Sequence, residues 1–320
     1  MSEITQTRKQ KAKAITQETR LGASFSLISC GPTNYNVDWQ KALQSTLDLG
    51  IRRFRMMTYW NLCESVQGTY NFTDVDKQLE IVEKAGGKVT LTIGMRQPRW
   101  PETHIPDWTN GMAHDQVEQL YLKYHTAVVN RYKDSSVVDS WQLENEFWLR
   151  SFGEHFDFSR TRLEKEFQII RELNPERPII MSLAQIVSLP LFKPTPDIYA
   201  TSVYRNIYNS SQKKYTYTWA KPWVYRLKRF LIRLTKRRDL VIHELQAEPW
   251  GPQANWEMSK EEQFKSMNPE QIKLAVQYAQ DTGISYMDLW GAEWWYWFSL
   301  QPYGDDSLQQ IVAELVKKYD

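Results

Sequence analysis

Cysteine is nearly absent. Cys30 and Cys63 are the only two in 320 residues, which excludes a disulfide framework, and neither belongs to a C-x-x-C pair of zinc or redox type. No apolar run approaches the roughly 20 residues that cross a bilayer. The first twenty residues, MSEITQTRKQKAKAITQETR, lack the apolar core of a secretion signal, so a cytoplasmic location is expected. There is no G-x-G-x-x-G or Walker loop, and G-A-S-F-S lacks the second glycine of a nucleophile elbow, which removes the simplest nucleotide and esterase readings. His243 opens H-E-L-Q-A, but Ala247 stands where the zinc motif H-E-x-x-H needs its second ligand.

What the chain does have is apolar and aromatic mass: 42% hydrophobic residues and 13% aromatic, with 14 Trp and 17 Tyr. That suffices for one large globular domain or two small ones and argues against a disordered or fibrous chain. The charge is nearly balanced, 40 Lys and Arg against 38 Asp and Glu, yet 11 of the 40 lie in residues 205–238, which contain no acid. A positive segment therefore sits on an acidic body, which argues against nucleic acid as a partner because the body repels phosphates.

Residues 1–20 show no apolar periodicity and read as a flexible tail, leaving 21–320 as a single domain. From Leu21 onward, short apolar runs alternate with amphipathic stretches, the pattern of βα units. Eight strands are expected, near 21–27, 52–57, 88–94, 137–144, 178–183, 197–204, 240–245 and 284–290. The helical stretches between them include VDWQKALQSTLDLG and DVDKQLEIVEKAGG, each ending in a glycine stop. Only the Pro-rich residues 184–196 leave little room for a helix. Eight strands with intervening helices in about 300 residues predict a (β/α)8 TIM barrel, with a doubly wound open sheet as the alternative.

In such a barrel the βα loops gather at the C-terminal strand ends, and chemistry is sought there. Strand four ends in W-Q-L-E-N-E-F, placing Glu144, Asn145 and Glu146 at its mouth; strand seven ends in I-H-E-L-Q-A-E-P-W, offering Glu244 and Glu248. Two carboxyl groups facing each other across a mouth can divide glycoside hydrolysis between proton donor and nucleophile. The bland reading of the same acids is a set of structural ion pairs, and it is preferred for Glu144.

W-Q-L-E-N-E-F resembles the strand-four motif of clan A glycoside hydrolases, in the form seen in family 42 and family 35 β-galactosidases. F-R-M-M-T-Y-W-N-L-C-E-S-V-Q-G-T-Y-N-F-T-D-V-D, G-M-R-Q-P-R-W-P and E-L-Q-A-E-P-W-G-P-Q-A-N-W are similar to further stretches of that clan, which also holds the family 5 cellulases. The resemblance implies a retaining β-glycosidase acting on β-linked carbohydrate without metal or cofactor. It makes Glu146 the acid/base, Glu244 the nucleophile and Asn145 a hydrogen-bonding partner of the sugar 2-hydroxyl. Arg55 would lie beneath the nucleophile and hold it ionised, and Tyr204 would donate a hydrogen bond to it. Trp290, Trp60 and Trp100 would stack on a pyranose ring, and Glu248 would be a sugar-binding group or a solvated loop acid. Three features depart from the pattern: Ser65 replaces the proline that follows Glu64, no histidine stands two residues before Tyr204, and the chain does not hold the additional domains of family 42. Readings from other classes are a barrel that binds carbohydrate without turnover and a surface-attached interaction protein.

The second of these rests on the basic segment 223–238. Trp223, Val224, Leu227, Phe230, Leu231 and Leu234 follow helical spacing, while Arg226, Arg229, Arg233 and Arg237 stay off that stripe. The expectation is a helix whose Trp223, Leu227, Phe230 and Leu234 face the barrel and whose basic side is solvated. The alternative is contact with an anionic membrane surface or polymer.

Overall fold

The computed structural model describes residues 3–18, 21–184 and 193–319. Its strands are β1 (Leu21–Phe25), β2 (Arg53–Met57), β3 (Lys88–Ile93), β4 (Val138–Leu143), β5 (Ile179–Leu183), β6 (Ile198–Val203), β7 (Asn206–Asn209), β8 (Lys214–Tyr217), β9 (Asp239–Gln246) and β10 (Met287–Trp290). Eight of them, all but β7 and β8, pair in parallel in the closed order β1-β10-β9-β6-β5-β4-β3-β2. Each of the eight apolar runs in the sequence becomes one of these strands, and the open sheet is excluded. The chain is a TIM barrel.

Closure follows from the residue pattern. Strands buried on both faces read as near-continuous apolar runs; the polar side chains buried among them include Arg53, Thr90, Ser140 and Asp288 nearer the strand starts and Arg55, Gln142, Ser202 and Glu244 farther along, toward the mouth. Helices cover the outside. Two of them end as the sequence indicates, with Gly50 at φ +97° and Gly86 at φ +72°, a backbone region that a Cβ disfavours.

Three features differ from the sequence reading. Residues 3–17 form a helix, not a tail, and Ala12 and Ile15 pack with Ile180, Ile198, Ala200, Val241 and Tyr286. Arg8 anchors it, donating to Asp197 at 3.1 Å and to the Pro175 carbonyl at 2.7 Å. The helix covers the barrel at the end where the strands begin. Its few apolar residues give no periodic signal, because its partners come from distant strands. The second difference is the antiparallel hairpin β7–β8 after β6.

The third concerns the basic helix. It is present as Pro222–Lys236, but Tyr225, Lys228 and Ile232 are the residues that face the barrel. Trp223, Leu227, Phe230 and Leu234 are 59%, 46%, 59% and 66% exposed. The buried arc also has helical spacing, and Lys228 belongs to it: its alkyl stem packs while its ammonium donates to Thr201 Oγ1 at 3.1 Å and to the Ala184 carbonyl at 3.0 Å. Sequence periodicity could not choose between the two arcs. Most of the Pro-rich stretch 184–196 lies outside the described residues.

Candidate active site

The strand ends bring Glu146 and Glu244 to one mouth. Glu244 lies within β9, and its neighbour in register on β6 is Ser202. The Ser202 hydroxyl lies 2.5 Å from Glu146 Oε1 and 3.3 Å from Glu244 Oε2, so one short side chain spans the two carboxyls. Glu146 follows the end of β4 with φ +42°, two residues after Glu144 at φ +53°. These left-handed residues bend the chain out of the strand and into the mouth, the kind of strain that clusters at functional sites. The Glu146 amide is fixed by donating to Ser182 Oγ at 2.7 Å.

Arg55 organises the floor. Fully buried, its guanidinium donates to Glu244 Oε1 at 2.8 Å, to Asn145 Oδ1 at 2.8 Å and to Gln142 Oε1 at 2.6 Å. This fork positions both the strand-seven carboxylate and the strand-four asparagine, a use that suits the planar guanidinium and not an ammonium. His243 is held neutral by burial, which pushes it well down, so its Nδ1–H donates to the same Gln142 oxygen at 2.9 Å. Tyr204 donates its hydroxyl to Glu244 Oε2 at 3.0 Å. Burial and the facing carboxylates push that phenol well up, so it stays a proton donor.

The two carboxyls occupy different environments. Burial, followed by the Glu244 charge, raises Glu146 to about 7. Glu244 instead has a guanidinium and a phenol as partners. Pairs of carboxyls whose surroundings differ in this way are suited to separate acid and base roles.

Other expected site residues are distributed unevenly. Glu144 is drawn away from the mouth, accepting from the amides of Met95 and Arg96 and from Arg162 at 2.7 Å, an ion pair of structural kind. Trp60 cannot meet a sugar: it is fully buried, its Nε1 donates to Glu64 Oε2 at 2.7 Å, and its ring packs among Trp108, Tyr121 and Tyr124. A short helix, Trp60–Cys63, turns the ring beneath the loop, which sequence alone does not reveal. Trp290 ends β10 with the Arg99 guanidinium 4.1 Å from its ring centroid, so one face is occupied. Arg99 in turn binds Glu248, and Glu293 at 2.7 Å; Glu248 is thus an ion-paired acid at the mouth, not a solvated one. Trp100 is 66% exposed and begins a row of rings, meeting Phe152, which meets Trp250, which meets Tyr204 beside Glu244.

Glu102 went unnoticed in the sequence, although it directly follows G-M-R-Q-P-R-W-P. Its Oε2 accepts from Asn145 Nδ2 at 3.0 Å, and burial together with the Glu244 charge lifts it to about 8 despite Arg96 nearby. Ser202 and Gln142 carried no signal beyond lying within apolar strands. Among the described residues one group has the spacing to hold a cation, His114, Glu118 and Asp157. Its acids already pair with Lys165 and Arg162.

The comparisons agree with the fold. The model of glycoside hydrolase family 42, described as beta-galactosidase, matches residues 33–176, and no curated protein matches the sequence. Among solved structures, a beta-galactosidase from Halorubrum lacusprofundi superposes with a TM-score of 0.57 at 13% identity, covering 94% of this chain and 58% of that one. A GH5_18 enzyme from Streptomyces cattleya, in complex with GlcNAc, gives 0.61 at 12% identity, with 95% and 81% covered. An exo-beta-1,4-mannosidase from Opitutaceae bacterium strain TAV5 gives 0.59 at 12% identity, with 93% and 60% covered. The chain thus spans under two thirds of the beta-galactosidase and of the mannosidase. In fold, and in the motifs of strands two to four, it resembles the clan A glycoside hydrolases.

Proposed function

We propose that this chain is a retaining β-glycosidase working by double displacement. The observation that carries the reading is the Ser202 hydroxyl shared between Glu146 and Glu244. Its two contacts, 2.5 and 3.3 Å, bound the separation of those carboxylate oxygens below the roughly 6.5–9.5 Å of inverting enzymes, which must fit a water between the groups. In the first step Glu244 attacks the anomeric carbon from one face while the protonated Glu146 gives its proton to the departing glycosidic oxygen. The bond to the leaving group breaks as the glycosyl ester forms. In the second step Glu146, now ionised, takes a proton from water, and the hydroxide oxygen displaces Glu244 from the sugar with net retention.

The remaining groups have supporting parts. Arg55 and Tyr204 aim the Glu244 oxygens, and a displacement tolerates little misplacement of its attacking atom. Asn145 is the group for the 2-hydroxyl, its carbonyl oxygen being engaged by Arg55 and one amide hydrogen by Glu102. The exposed Trp100 is the surface for a pyranose ring, whereas Trp290 is buried with Arg99 over its ring. The substrate class is a β-linked carbohydrate, in keeping with the enzymes it resembles.

Trapping with an activated 2-deoxy-2-fluoro-β-glycoside tests the assignment. The expected result is a covalent label on the peptide carrying Glu244. A label on Glu248, or an active enzyme that takes no label, overturns it.

A further inference from the structure

We infer that the helix Pro222–Lys236, with the hairpin β7–β8 before it, docks the protein on an anionic lipid bilayer. The helix turns the wrong face outward for a soluble barrel. Its inward arc is filled by Tyr225, Lys228 and Ile232, while Trp223, Leu227, Phe230 and Leu234 form one outward stripe along its whole length, none less than 46% exposed. Just ahead of it, Tyr217 and Trp219 are 58% and 71% exposed. Monomers seldom leave contiguous apolar surface of this kind uncovered unless something binds it.

Charge identifies the occupant. Arg226, Arg229 and Arg233 each stand one position before a stripe residue, so a basic row borders the stripe, and Lys221 and Arg237 flank the helix ends. Residues 205–238 contain no acid. Asp239 meets Arg229 and Arg233 from the following strand; among the described residues no carboxylate pairs with Lys221, Arg226 or Arg237. An apolar stripe of Trp, Phe and Leu edged by cations is the pattern of helices lying in the lipid interface, with aromatic rings at headgroup depth. A protein partner would need its own acidic rim around an apolar groove, whereas a bilayer with anionic lipids offers both at any position.

The placement also has a consequence for the barrel. Helices of a βα barrel run along its wall, so a bilayer on this stripe lies beside the barrel and the mouth opens along the lipid surface. The hairpin is tied to the mouth, since the Tyr208 amide donates to the Trp250 carbonyl at 3.0 Å. Docking therefore sets Tyr217, Trp219 and Trp223 at the side of the mouth nearest the lipid.

Co-sedimentation of the full chain with vesicles tests the inference. One set is phosphatidylcholine alone and the other contains about 30% phosphatidylglycerol. At about 0.1 M salt the protein should pellet with the second set and not the first, and at about 1 M salt the binding should weaken, because the charges are screened. Phe230→Ser with Leu234→Ser should reduce partitioning by about 100-fold through lost apolar burial. Lys221→Gln, Arg226→Gln and Arg237→Gln together should reduce it by a similar factor. These side chains are exposed, so the thermal midpoints should match the parent and exclude misfolding as the cause. Three outcomes overturn the inference: no pelleting with either vesicle, pelleting that the stripe variants retain, or a dimer by light scattering that Leu234→Ser dissociates.

Discussion

Replacing Glu146 by Gln separates the electrostatic reading of the mouth from its shape. The amide fills the same volume and still accepts from Ser202, but it cannot ionise. In the parent, burial and the Glu244 charge hold Glu146 at about 7, against an unfolded value of about 4.3. A carboxyl raised by folding keeps its proton longer in the native state, so its contribution is intact below the unfolded value and is lost as pH rises toward 7. Between those limits the parent should lose about 3 kcal/mol at 1.36 kcal/mol per unit. The variant lacks this loss. Urea unfolding at pH 5 and pH 8 should therefore show the Gln variant gaining on the parent by about 3 kcal/mol as pH rises, a stabilisation obtained at the expense of turnover. Activity should change in a matching way. The parent's kcat/KM should fall above about pH 7, where the acid is lost. The variant should lose that limb, cleave aryl glycosides with good leaving groups, and recover turnover with azide. Equal pH dependence of stability in the two proteins would refute the reasoning about the raised carboxyl. A basic limb that persists in the variant would refute Glu146 as the proton donor.

Other substitutions address neighbouring parts of the site and fold. Arg55→Ala should strand the buried Glu244 carboxylate and release Asn145, costing about 3–5 kcal/mol in chemical denaturation and lowering kcat by at least about 100-fold; near-normal turnover would remove Arg55 from the site. Glu102→Gln should keep the acceptor for Asn145 while abolishing a carboxyl that folding raises to about 8. Its stability should exceed the parent's by about 5 kcal/mol at pH 9 and approach it at pH 4, as measured by urea unfolding. Ile15→Ala should cost about 2–4 kcal/mol by opening a gap between the first helix and the barrel end; a neutral thermal midpoint would mean that helix adds nothing to the fold.

The strands were legible because each carries its own signal. An apolar run of five to eight residues must be buried on both faces, and eight such runs alternating with amphipathic stretches leave few architectures other than a closed barrel. Glu146 and Glu244 were legible as candidates because they stand at strand ends, whereas the places of Arg55 and Tyr204 beside Glu244 followed from the resemblance of their motifs and not from the strand pattern. Tertiary structure alone decided everything that depends on a partner distant in sequence. Residues 3–17 have too few apolar side chains to predict a helix, yet Ala12 and Ile15 find Val241 and Tyr286 across the barrel end. Trp60 looks like a sugar platform until its neighbours Tyr121 and Tyr124 enclose it. Glu102 acquires its environment from Asn145 and the mouth carboxyls, not from its own sequence neighbours. The helix Pro222–Lys236 carries two arcs of equal period, and only the wall of β6, where Thr201 receives Lys228, selects which one is buried. Periodicity reports that a face exists; which face is turned inward is set by complementarity with a surface that the local sequence does not encode.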